Sequence, residues 1–342
     1  MNRQPSRVMP RTRPQRSSPR VNRREFVRYA AAATLGGGIA VTGSAGSLAG
    51  GEWRRQSNQQ PRSPVIDTHL HCFAGAKDRR FPYHEQAPYR PAEAATPEHL
   101  LACMDGAGVN HAIVVHPEPY QDDHRYLEHC LQVGGDRLKG TCLFFADRSG
   151  SIERMSALVK RLPGRIVAAR VHAYAPERLP PFGTPELRSL WKAAADLGLA
   201  VQLHFEPRYA PGFEALIREF PETTVVIDHL GRPFQGTPEE HAVVVGWSRL
   251  PNTVMKIAAV PAPTTYPHRD IRPVIRQLTE AWGAERMIYG GGFSAAATPQ
   301  SYRRQREEIG EYLTHLSERE RQLIFGGTAD RLFGFGHRAS GV

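Results

Sequence analysis

The residues with most chemistry to offer in this sequence are histidines that close short apolar runs. His69 and His71 are two positions apart, so on a strand their side chains leave the same face. Neighbouring imidazoles are good ligands for one divalent metal, Zn or Mn, and His204 is placed to complete a set of three. His116, His172 and His229 also end apolar runs. Glu206 keeps the register of Gln202 and His204 and is a candidate general base. Arg170 and Arg232 carry guanidinium forks that match carboxylates. Lys256 sits inside an apolar run, where pairing with a buried carboxylate is expected. Gly290, Gly291 and Gly292 are consecutive, and glycine N–H groups in such a run can form a nest for a substrate carboxylate or an oxyanion.

These side chains need a frame. Short β-branched or apolar runs begin at residues 65, 111, 138, 166, 200, 224, 253 and 286, close to the repeat of a βα unit of about 30 residues. The expected strands are Val65–His71, His111–His116, Leu138–Phe144, Ile166–Ala173, Ala200–Phe205, Thr224–Leu230, Thr253–Ala259 and Arg286–Gly291. Between them, Thr96-Pro97-Glu98 and Thr184-Pro185-Glu186 offer an N-cap followed by proline at the first helical position. Leu187, Leu190, Trp191 and Ala194 mark a buried helical stripe, as do Ile271, Val274, Ile275 and Leu278. Eight alternations predict an α/β fold, a (β/α)8 TIM barrel, over residues 64–337, with a short tail at 338–342. Chemistry in such barrels gathers at the carboxyl ends of the strands, where the histidines fall. An open doubly wound sheet is the other arrangement of such units, but no glycine-rich phosphate loop follows the first strand. The long connection Phe73–Ala95 carries Tyr83, His84, Tyr89 and Arg90 and is expected to cover the site.

The charge sits in one place. The chain of 342 residues has a formal charge of +10, but residues 1–62 hold 12 Arg and 2 Glu, and the other 280 residues carry 32 basic and 32 acidic side chains. A neutral body has no general attraction for phosphate backbones, so nucleic acid is not an expected partner. Asn22-Arg23-Arg24-Glu25-Phe26-Val27-Arg28, followed by a weakly apolar Ala- and Gly-rich run to Ala49, looks like a twin-arginine export signal. The expectation is a signal peptide at 1–49, a linker at 50–63, and delivery to the periplasm or the outside, with contact to the membrane only through the signal. Cys72, Cys103, Cys130 and Cys142 form no CxxC pair, and they are expected to be buried thiols.

Asp67-Thr68-His69-Leu70-His71, Gln202-Leu203-His204, Asp228-His229-Leu230-Gly231-Arg232-Pro233 and Ala329-Asp330-Arg331-Leu332-Phe333-Gly334-Phe335 together resemble the amidohydrolase-related family, part of the metal-dependent hydrolase superfamily, over residues 64–336. The resemblance implies a barrel hydrolase, lactonase-like, acting on a small molecule. It implies that His69, His71 and His204 hold a metal or polarise a carbonyl, that His229 orients substrate or water, and that Arg232, which matches an arginine of the family turn, binds an anionic group. The family also uses an aspartate after strand eight to take a proton from water, and Gly292 occupies that position here. Three outcomes stay open. Glu206 serves as the base, the run Gly290–Gly292 binds an anion, or the barrel is a catalytically impaired binding protein. A metal-free form of the chemistry also stays open.

Overall fold

The computed structural model describes residues 63–174, 176–258 and 270–335. The expected signal peptide, nearly all of the linker and the C-terminal tail lie outside them. The strands are β1 (Ile66–Leu70), β2 (His111–Val115), β3 (Leu138–Leu143), β4 (Ile166–Ala173), β5 (Ala200–Phe205), β6 (Val225–Ile227), β7 (Thr253–Ile257) and β8 (Met287–Tyr289). They lie side by side in chain order, each pairing parallel. Helices α1 (Pro97–Ala107), α2 (Arg125–Gly134), α3 (Ser151–Arg161), α4 (Pro185–Asp196), α5 (Pro211–Glu219), α6 (Pro238–Gly246), α7 (Arg272–Trp282) and α8 (Pro299–Tyr312) follow the strands. This is the (β/α)8 barrel that the alternation predicts. Its β8–β1 seam is closed by Thr68, whose hydroxyl donates to the Tyr289 carbonyl at 2.6 Å. The backbones approach so closely there that a Cβ on Gly290 would lie 2.6 Å from the His69 Cβ, which explains the glycine sterically.

Local sequence accounts for the helices. Thr96 caps α1 by accepting from the His99 N–H, and Gly108 ends it in a left-handed conformation at φ 69°. Thr184 precedes α4 in an extended conformation, but its hydroxyl donates to the Pro181 carbonyl, so the expected side-chain cap is not made. The α4 stripe Leu187, Leu190, Trp191 and Ala194 is buried as expected. All four cysteines are buried and free. Among the described residues no helix is long and apolar enough to cross a membrane.

The two barrel ends differ. Ile66, Ile113, Val167, Ala168, Ala200, Val226, Val254 and Ile288 fill the interior and meet Ala329 and Phe335 from the segment of α10 (Thr328–Phe333), after the short α9 (Glu318–Gln322). Phe335 packs on His111, at the start of β2, so this plug closes the amino end. Polar side chains collect at the other end. Strands β6 and β8 stop short of their expected limits because both corners turn into positive-φ backbone, from His229 and from Gly291.

Candidate active site

Asp228 is the hub of the carboxyl end. It follows β6 directly, and after it come four consecutive left-handed residues, His229 (φ 56°), Leu230 (58°), Gly231 (67°) and Arg232 (54°). Three are not glycine, a strained arrangement of the kind that persists where the surroundings over-determine it. Asp228 is fully buried. Its Oδ2 accepts from Arg170 Nε (3.1 Å) and Nη2 (2.9 Å) on β4 and from Gln202 Nε2 (2.9 Å) on β5. Its Oδ1 faces Lys256 Nζ on β7 at 3.1 Å and His69 Nδ1 on β1 at 3.4 Å, without an aligned hydrogen bond. Burial would raise the Asp228 pKa, but Lys256, His69 and Arg170 outweigh it and hold the carboxylate well below its ordinary value.

Around this carboxylate stand the imidazoles. The His229 ring lies 4.5 Å from His69 and 5.1 Å from His204, centre to centre, and His71 is 5.2 Å from His69. Burial keeps them neutral. It lowers His71 and His229 to about 3, and His69 and His204 well below the usual value. The Nδ1 of His71 donates to the Val115 carbonyl at 2.7 Å, which fixes its proton there and leaves a lone pair on Nε2. Buried Nδ1 atoms of His204 and His229 have no hydrogen-bond partner. The ligand atoms of His69, Asp228 and His229 lie within 4.8 Å of one another. Neutral imidazoles with a carboxylate are a donor set that suits a divalent cation, so the residues present fit one.

A second group borders the first. Glu118, just after β2, is buried beside His172 Nδ1 on β4 (3.6 Å), the Tyr174 hydroxyl and Arg178 Nη1 (3.4 Å). Burial raises its pKa, yet His172, Tyr174 and Arg178 prevail and bring it down to about 2. The Tyr174 ring is 4.8 Å from His204, and the guanidiniums of Arg178 and Arg232 lie 5.0 and 5.8 Å from its centre. The long connection after β1 reaches this side, its ends pinned by paired Phe73 and Ala95. Its Tyr89 packs against Phe73, which in turn touches His71.

The β8 corner is built differently. Asp67 accepts from the backbone N–H of His69 and of Gly291, both at 2.8 Å, and from the Tyr302 hydroxyl of α8 at 2.6 Å. Burial raises its pKa to about 6 against these three donors. A Cβ at Gly292 (φ 120°) would meet the Tyr302 ring at 2.8 Å and Gln305 Oε1 at 2.9 Å.

The structure places the residues singled out in the sequence as follows. Arg170 is buried, and its Nε and Nη2 both donate to Asp228 Oδ2. The N–H of Gly290 goes to the Ile257 carbonyl and that of Gly291 to Asp67, so two of the three donors of the expected nest are used internally, leaving only Gly292. Glu206 forms an ion pair with the half-exposed Arg208. The group whose ligand atoms converge joins His69 to Asp228 and His229, rather than to His71 and His204. Lys256 has the carboxylate partner expected of it, Asp228. Sequence reasoning missed Glu118, Tyr174, Arg178 and Tyr302. The first two each lie two residues past a strand-ending histidine, which is a readable signal. Tyr302 comes from the middle of α8 and gives none.

The imidazole and carboxylate group lies at the carboxyl ends of the strands, the face at which sites of (β/α)8 barrels are built. The chain belongs to the amidohydrolase family, whose profile matches residues 66–335. It is 28% identical to the L-fucono-1,5-lactonase of Burkholderia ambifaria over 249 residues, 66% of this chain and 78% of that protein. It is 27% identical to the 2-pyrone-4,6-dicarboxylate hydrolase of Comamonas testosteroni over 242 residues, 66% of this chain and 75% of the other. An amidohydrolase from Burkholderia multivorans with bound Zn superposes with a TM-score of 0.61 at 17% identity, covering 79% of this chain and 99% of that one.

Proposed function

We propose that the chain is a hydrolase that opens a lactone, or a related cyclic ester or amide, by attack of water in the histidine-lined mouth of the barrel. The observation that carries this reading is the convergence of His69, Asp228 and His229 at the carboxyl end of the strands. Relatives named as a lactonase and a pyrone dicarboxylate hydrolase support it. His69, Asp228 and His229, with His71 and His204 as neighbouring imidazoles, would hold a Zn or Mn ion, which would supply Lewis-acid polarisation of the carbonyl. In a metal-free form an imidazole N–H polarises the carbonyl. His71 is unsuited to that, because its proton is given to Val115, and His204 is the better donor.

In that metal-free form the unpartnered Nδ1 of His229 takes the proton of the attacking water. Asp228 offsets the charge on the imidazolium that forms. Arg232, with Arg178 beside the same tyrosine ring, holds an anionic group of a small-molecule substrate. The test is ester-bond hydrolysis of a panel of five- and six-membered lactones, with and without carboxylates, followed by acid release. Turnover that falls at least a hundredfold in a folded His229→Ala variant is expected. No turnover of any lactone or cyclic amide by the folded chain overturns the reading in favour of a binding protein on the same barrel, which the side-chain-free Gly292 corner favours. We further propose export by the twin-arginine route. Cytoplasmic retention of an Arg23→Lys, Arg24→Lys variant tests it.

A further inference from the structure

The cation site described above has a feature that its donor set does not explain. Asp228 is the carboxylate of the converging group, and its two oxygens are used unequally. Oδ2 is saturated by three N–H donors. Oδ1 is the oxygen left with lone-pair capacity, and Lys256 Nζ stands against it at 3.1 Å. The lysine is 1% exposed and comes from the next-to-last residue of β7. Arg170 already matches the carboxylate's single charge from the other side. Asp67, a second buried carboxylate, has its oxygens committed to His69 N–H, Gly291 N–H and the Tyr302 hydroxyl. An arriving divalent ion therefore meets a carboxylate flanked by two fixed cations, in an environment where like charges repel strongly.

We propose that Lys256 is a built-in competitor for the cation position: its ammonium occupies Asp228 Oδ1 and sets how weakly His69, Asp228 and His229 hold Zn or Mn. This rests on the reading of those three residues as a cation site. Removing the positive charge while keeping most of the side chain should free Oδ1 and tighten the site.

The experiment is titration of the purified full chain with Zn2+ alone and Mn2+ alone, read by calorimetry and by elemental analysis after desalting. Wild type is compared with Lys256→Met, Lys256→Gln, Lys256→Arg and the double variant His69→Ala, Lys256→Met. The expected result is affinity at least tenfold tighter in Lys256→Met, near one ion per chain, with Lys256→Arg like wild type because the charge remains. Lys256→Gln gives the same comparison where the methionine variant does not fold. Unchanged or weaker binding in both neutral variants overturns the proposal. The His69→Ala arm separates the two failures. If the tight ion survives His69→Ala, it sits elsewhere and the site reading itself fails. If His69→Ala weakens binding and the Lys256 variants change nothing, only the role of Lys256 falls.

Discussion

The corners after β6 and β8 both turn through positive φ, and they do so with opposite materials. The β6 corner uses His229, Leu230 and Arg232 around one glycine. It accepts backbone strain of roughly 1–2 kcal/mol per residue, and in return keeps an imidazole and a guanidinium at the carboxyl end. The β8 corner uses Gly291 and Gly292 at φ 111° and 120°. It carries no such strain and presents no side chain. The strained corner carries an imidazole and a guanidinium, and the unstrained corner carries no side chain. The space a side chain at position 292 would enter is filled by Tyr302, so the glycine and the tyrosine fit each other.

The comparison is broken hardest at its hub. Asp228→Ala should leave Arg170 and Lys256 buried without their counter-charge. A loss of about 3–5 kcal/mol is expected from stranding buried charges in this way, measured by urea denaturation. A loss under 1 kcal/mol would mean that the two cations find water or other partners and that Asp228 is no hub.

A comparable effect should appear with acid at Glu118. Its carboxyl is held down to about 2 in the fold against an ordinary value near 4.3. A depressed acid contributes stability above its unfolded pKa and loses it as pH falls toward the folded one. The window is therefore roughly pH 4.5 down to 2, and about 3 kcal/mol is at stake. Stability curves of wild type and Glu118→Gln should converge as pH falls through that window. Curves that stay parallel would show that His172, Tyr174 and Arg178 do not discriminate between the two forms of the acid.

At the β8 corner, Gly292→Ala should lower stability by about 1–3 kcal/mol, since the new Cβ is both strained at its φ and 2.8 Å from the Tyr302 ring. For the same reason Gly292→Asp alone should not raise any hydrolysis rate. A gain of activity in Gly292→Asp without a change at Tyr302 would show that the corner relaxes easily and that glycine there is incidental.

How much of this was legible follows from the range of the forces involved. The barrel could be read because each strand and helix writes its own period and caps, as Thr96 and Gly108 do for α1. The histidines could be found because strand ends are local. What could not be read were commitments made across the barrel. That Arg170 and Lys256 share one carboxylate joins β4, β6 and β7, and that two glycine N–H groups are already used depends on β1 and β7. The ion pair between Glu206 and Arg208, two residues on, likewise depends on how the chain turns after β5. The short β6 and β8 were overextended for a related reason. Apolar residues such as Leu230 continue the strand pattern while the backbone has already turned left-handed.

The smallest effect sharpens the comparison most, because it should carry the opposite sign. Arg232 sits at φ 54° and ψ 57°, a conformation that glycine adopts without strain. Arg232→Gly releases about 1 kcal/mol of strain and gives back part of it through the greater freedom of the unfolded chain. It also removes a contact with the Tyr174 ring that is worth about 0.5–1 kcal/mol at a partly exposed site. Net stability should therefore stay within about 1 kcal/mol of wild type, while KM for an anionic lactone rises and KM for a neutral one stays put. Arg232→Asn, which also tolerates left-handed backbone, should give the same split. Should both variants instead lose more than 2 kcal/mol, the arginine would be held in place by its contacts, the β6 corner would be as structural as the β8 corner, and the contrast between them would dissolve.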